Sequence, residues 1–67
     1  MTTHALTSYH TADGYLVEIR DDAYGRRPFV ADIETPFGWS AMELFERRDD
    51  ADVWVERTLE EIRNGTY

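Results

Sequence analysis

The run Thr35-Pro36-Phe37-Gly38-Trp39-Ser40-Ala41-Met42-Glu43-Leu44-Phe45-Glu46 decides the fold of this chain. Its first four residues fit a type I turn, with Pro at the second position, where its ring presets φ, and Gly at the fourth. Trp39 to Glu46 fits two elements. As a helix, Ser40 and Glu43 form a capping box ahead of Leu44 and Phe45. As a strand, the segment closes a three-stranded meander. The strand is the better reading, because a lone hairpin with helices on one face leaves a very thin sheet.

Upstream, Phe29-Val30-Ala31-Asp32-Ile33-Glu34 alternates, with Phe29, Ala31 and Ile33 inward and Asp32 and Glu34 outward. Tyr15 to Arg20 does the same, placing Tyr15, Val17 and Ile19 on one face and Leu16, Glu18 and Arg20 on the other. Asp21-Asp22-Ala23-Tyr24-Gly25 is the turn that joins them into an antiparallel hairpin. Before Asp13-Gly14, itself a hairpin-turn signal, Ala5 to His10 reads either as an additional edge strand or as a loose tail.

Downstream, the period changes. Ala51, Val55, Thr58, Leu59 and Ile62 form one helical stripe with Trp54 beside it. Asp49 or Asp50 is expected as the cap, and Asp49, Asp50 and Asp52 set negative charge at the positive end of the helix. Arg63 lies in the last turn and Asn64-Gly65 stops it. The expected fold is therefore α+β: a small three-stranded antiparallel sheet over residues 14–67, packed by one C-terminal helix. Residues 1–13 form the tail or extra edge strand. Val17, Ile19, Phe29, Ile33, Phe45, Val55, Leu59 and Ile62 make the core.

This order of elements resembles the N-terminal arm-type DNA-binding domain of phage tyrosine integrases. The stretch that carries the likeness is Phe45-Glu46-Arg47-Arg48-Asp49-Asp50-Ala51-Asp52-Val53-Trp54-Val55. In that family a strand-ending Phe is followed by a short polar turn, an acidic residue and Ala, then a helix carrying Trp. The exit Glu61-Ile62-Arg63-Asn64-Gly65-Thr66-Tyr67 is similar too, so the likeness spans about Gly14 to Tyr67. It implies a sheet that enters the major groove with its exposed face; Arg20, Arg26 and Arg27 cluster near the first hairpin, within reach of a DNA backbone.

Composition points elsewhere. Sixty-seven residues make one domain, and a chain this size buries only about 60 % of its unfolded surface. There is no cysteine, which excludes disulfides and thiolate zinc sites. Two Trp, four Tyr and three Phe supply the core instead. A homodimer would add burial, although nothing in the sequence demands one. No stretch is apolar enough to span a bilayer, and Met1-Thr2-Thr3-His4 does not begin a signal peptide, so the expected compartment is the cytoplasm. Fourteen carboxylates face seven cations, all Arg, for a formal net charge of −7. Such a charge attracts basic partners and disfavours nucleic acid and anionic membranes. The outward face carries Glu18, Asp32 and Glu34, and a carboxylate set against phosphates is repelled and loses its water.

Catalytic and metal-binding patterns are weak. Glu18 with Glu34, Asp21 with Asp22, and Glu60 with Glu61 fall on outer faces or in turns, without the water-poor pocket that raises one carboxyl pKa. His4, His10 and Asp13 lack the spacing of a metal site, and Ser40 has no histidine expected beside it. Gly14, Gly25, Gly38 and Gly65 are turn or cap positions rather than a phosphate loop. No enzyme, cofactor or metal is expected. Phe37, Trp39 and Tyr24 read either as an exposed aromatic anchor or as a lid on one end of the core.

The function expected from these residues is a small acidic protein-binding module. Glu18, Asp32 and Glu34 would dock on a basic protein surface, with Tyr24, Phe37 and Trp39 as anchors. A basic surface often exists to hold nucleic acid, so occupying it would make the domain an inhibitor or regulator of the phage-encoded kind. The alternative is the arm-type DNA-binding domain through Arg20, Arg26 and Arg27. A third reading is a structural subunit of a larger assembly.

Overall fold

The computed structural model describes residues 4–21 and 25–67, with side chains from Leu6 onward. Four strands form one antiparallel sheet: β1 (His4–His10), β2 (Leu16–Asp21), β3 (Phe29–Glu34) and β4 (Ser40–Phe45). Their spatial order is their order in the chain, so β1 and β4 are the edges. The helix α1 (Arg48–Asn64) follows and packs on one face.

The disputed segment is a strand. Six continuous pairs join β3 to β4, from Phe29–Phe45 to Glu34–Ser40. Thr35 N–H donates to the Trp39 carbonyl at 2.8 Å, closing the hairpin, and Gly38 takes φ +94° in the turn. That conformation costs a residue with a Cβ, which is why glycine stands there.

Three expectations need correction. The sheet has four strands rather than three, because β1 pairs with β2 from His4–Asp21 to His10–Leu16. Added to an exposed strand, it satisfies backbone groups that β2 would otherwise present to water. The helix starts at Arg48, after an extended Arg47 that makes no side-chain capping bond. Asp49 and Asp50 lie inside the first turn, where they act on the helix dipole rather than as caps. Finally, Phe29, Phe45 and Ile62 are only half-buried, while Tyr15, Ala31 and Ala51 are in the core. The two phenylalanines sit at the ends of their strands and face each other across β3 and β4, and Phe45 meets Trp54 at 5.9 Å between ring centroids. The centre of the turn expected between β2 and β3, including Tyr24, lies outside the described residues.

The core is the meeting of two periods. Val17, Ile19, Ala31 and Ile33 project from one sheet face, and Ala51, Val55, Thr58 and Leu59 from one helix stripe; all are buried. Alanines at 31 and 51 leave room for the helix to lie close to β3. At the far end Gly65, with φ +75°, sends its N–H to the Ile62 carbonyl, and Thr66 N–H reaches the Glu61 carbonyl. This pair of bonds is the Schellman arrangement and ends the helix where Asn64-Gly65 predicts.

Leu59 is 7 % exposed within this cluster. Leu59→Ala should therefore lower unfolding free energy by about 2–5 kcal/mol, the usual range for a buried leucine. Urea denaturation followed by tryptophan fluorescence measures it; a loss under roughly 0.5 kcal/mol would place the residue on the surface.

Candidate functional site

The face of the sheet opposite the helix has no second layer among the described residues. Register defines its rows across β2, β3 and β4: Leu16, Glu34 and Ser40; Glu18, Asp32 and Met42; Arg20, Val30 and Leu44. Glu18, Asp32 and Glu34 thus share this face, as their alternation with the core residues requires. Arg20 stands among them, its Nη1 3.7 Å from Glu18 Oε1 and 3.9 Å from Asp32 Oδ2. These are long, partly solvated pairs of small energetic weight. Asp32 Oδ1 is buried and has no hydrogen-bond partner.

Apolar side chains lie beside the charges. Val30 is only 4 % exposed on this outer face, with Arg20 and Leu44 as its cross-strand neighbours. Met42 and Leu44 are exposed, at 59 % and 41 %. Sequence reading misses this patch because the helix-or-strand ambiguity of β4 hides which of its residues share a face. The readable signal is that Met42 and Leu44 share a parity opposite to that of Ala41 and Phe45.

Two of the three cations expected to touch DNA stand beside acids. Arg20 faces Glu18 and Asp32, and Arg26 lies 3.5 Å from Glu46 Oε1. Arg27 is exposed in the loop before β3.

At one end of the sheet, two loops adopt one design. Thr11-Ala12-Asp13-Gly14-Tyr15 joins β1 to β2, and Thr35-Pro36-Phe37-Gly38-Trp39 joins β3 to β4. In each, the Thr N–H donates to the aromatic residue's carbonyl at 2.8 Å, and the Gly has φ +94°. The Thr hydroxyls tie the loops further: Tyr15 N–H donates to Thr11 Oγ1, and the Thr35 hydroxyl donates to the Trp39 carbonyl. The loops lie against each other, since a Cβ on Gly14 would come within 3.1 Å of Pro36 Cβ. This five-residue echo is visible in the sequence only once both segments are known to be hairpin loops.

The end of α1 closes over them. Arg63 donates two hydrogen bonds of 2.8 Å to the Asp13 carboxylate, and its guanidinium carbon sits 5.2 Å from the centre of the Tyr15 ring. Phe37 meets Tyr15 edge-on at 6.2 Å, and Trp39 stacks on Tyr67 at 5.7 Å. Phe37 and Trp39 nonetheless remain 67 % and 42 % exposed, so they cap the end of the core and still offer aromatic surface.

A groove of about 420 Å³ runs from this end onto the open face, lined by His10, Leu16, Glu34, Thr35, Trp39 and Ser40 among others. His10 and Ser40 belong to one row but to opposite edge strands. Three strand spacings, roughly 14 Å, separate such positions, too far for a base to activate a hydroxyl. Among the described residues no three His, Asp or Glu side chains converge on a metal position. The side chain of His4 lies outside them. No described helix is long and apolar enough to cross a membrane.

No family model matches this chain, and neither a curated protein nor a solved structure matches it.

The Arg63 hydrogen bonds, followed by that of Thr11, hold the Asp13 carboxyl well below the usual carboxylate range, and Asp13 in turn raises Arg63. A carboxyl lowered in the native state binds fewer protons there than in the unfolded chain, whose Asp titrates at about 3.9. Its stabilisation is thus complete above about pH 3.9 and is lost as pH falls through the native value. Carboxyl-carbon NMR should show Asp13 titrating below the usual aspartate range. In Arg63→Gln its midpoint should return toward about 3.9, and the acid-unfolding limb should change accordingly.

Proposed function

We propose that this domain is a non-catalytic, cytoplasmic protein-binding module that docks its open sheet face on a basic protein surface. The observation that carries the reading is the composition of that face. Glu18, Asp32 and Glu34 stand on its two central strands, beside exposed Met42 and Leu44 on the edge strand β4. Exposed apolar groups at a sheet edge, set beside carboxylates on the neighbouring strands, offer a partner both apolar contact and charge. The net charge of −7 steers basic partners toward it. A guanidinium or ammonium group from the partner would pair with the accessible carboxylates of Glu18 and Glu34, and Phe37 and Trp39 extend the contact at the loop end. If the surface it covers ordinarily holds nucleic acid, the domain acts as an inhibitor or regulator of that protein.

The competing reading is DNA binding in the manner of integrase arm-type domains, supported by the order of β2, β3, β4 and α1. Its weakness is electrostatic. The same three carboxylates would face phosphates, and Arg20 and Arg26 already face acids.

One set of variants separates the two. Replacing Glu18, Asp32 and Glu34 together by Lys should reduce capture of partner proteins by the immobilised domain about tenfold, a loss of ~1.4 kcal/mol. The deficit should shrink as salt rises, since screening acts over about 8–10 Å. Duplex DNA should not be shifted by the wild-type domain at physiological ionic strength. A wild-type shift that Arg26→Ala abolishes, and that the lysine variant strengthens, would establish the DNA reading instead.

A further inference from the structure

We propose that the outer edge of β4 accepts an extended segment of the partner as a fifth strand, one whose side chains alternate between apolar and basic. The inference rests on the protein-docking reading and specifies its mode.

The two edges of the sheet are not equivalent. On β1 the register shifts between Ala5 and Thr7, so Leu6 is an extra residue bulged out of the pairing. A bulge twists an edge and interrupts its row of donors and acceptors, a common protection against added strands. β4 has no such break: its six residues pair in continuous register, and it contains neither proline nor lysine.

The phase of β4 follows from one bond. Because Thr35 N–H donates to the Trp39 carbonyl, the positions paired in the same phase are Ala41 with Ile33, Glu43 with Ala31, and Phe45 with Phe29. The alternate residues Ser40, Met42 and Leu44 therefore direct their N–H and C=O groups away from β3, toward the outer edge. Leu44 behaves accordingly. Its N–H donates to the side-chain Oε1 of its neighbour Glu43 at 3.0 Å, a bond that a group engaged with β3 would not make.

These facts specify the occupant. An added strand would place apolar side chains beside Met42 and Leu44 on the open face. On the opposite face it would set a Lys or Arg beside Glu43. As the incoming carbonyl takes the Leu44 N–H, the Glu43 carboxylate is released to pair with that cation. Main-chain bonds then supply the attachment and the alternating side chains the selectivity. A second copy of this chain fits less well, since it brings another −7 and another Glu43 to the edge.

The test uses a short alternating lysine–valine peptide, with a glutamate–valine peptide as control. Amide hydrogen exchange of the wild-type domain should show Met42 and Leu44 becoming protected on adding the lysine peptide and not the control. Met42→Pro removes one outward donor but no bond to β3, and edge strands tolerate proline at such positions. It should retain the native spectrum and bind the peptide at least about tenfold more weakly. If that variant does not fold, the exchange result in the wild type decides alone. Binding that moves Glu18, Asp32 and Glu34 resonances without protecting Met42 and Leu44 would overturn strand addition and leave the docking reading standing. So would absence of peptide binding while salt-sensitive partner capture persists; absence of both would overturn the two together. Protection of the same amides by protein concentration alone would overturn the proposal in favour of a second copy.

Discussion

Contact between one helix stripe and one sheet face holds this small domain together, and its one-sidedness sets everything else. Val17, Ile19, Ile33, Val55 and Leu59 are buried between the layers. Each such side chain contributes about 1.5–3 kcal/mol when fully removed from water. The long, partly solvated ion pairs of the open face contribute about 0–1 kcal/mol each. Apolar burial therefore dominates stability, and the charges of the open face are available to a partner. A single helix covers one face only, so Met42, Leu44 and Glu34 on the other stay in water.

The two loops at one end extend the same constraint. They carry the sheet through two tight reversals, and each uses a left-handed glycine with a threonine that bonds across the turn. Because both reversals lie at the end where α1 finishes, Asp13 meets Arg63 and Trp39 meets Tyr67. These contacts tie the helix terminus to the hairpins. They also leave Phe37 and Trp39 partly exposed beside the groove. The lid reading of this pair therefore describes its contacts with Tyr15 and Tyr67, while its exposed area is the surface that the anchor reading needs.

Sheet edges and charge together shape the functional proposal. An unprotected edge strand invites pairing with any extended chain. A carboxylate at Glu43 and a strongly negative surface restrict that invitation to chains carrying cations. Selectivity in this arrangement comes from charge and side-chain alternation, while the backbone supplies attachment.

Much of this was legible locally. The alternation of Tyr15 to Arg20 and of Phe29 to Glu34 determined which residues face the helix, because side-chain parity in a strand is a property of the chain itself. Thr35-Pro36-Phe37-Gly38 and Asn64-Gly65 determined where the chain turns and where the helix stops, for the same reason: a turn or cap is made by adjacent residues. Net charge and the acidic outer face were likewise fixed by residue order. Tertiary structure alone decided that Ala5 to His10 joins the sheet, that Val30 is buried on the outer face, and that Asp13 meets Arg63. It also decided that β1 is the blunted edge and β4 the continuous one. Each of these depends on register and packing between segments distant in the chain, and a contact between distant segments leaves no period in either of them.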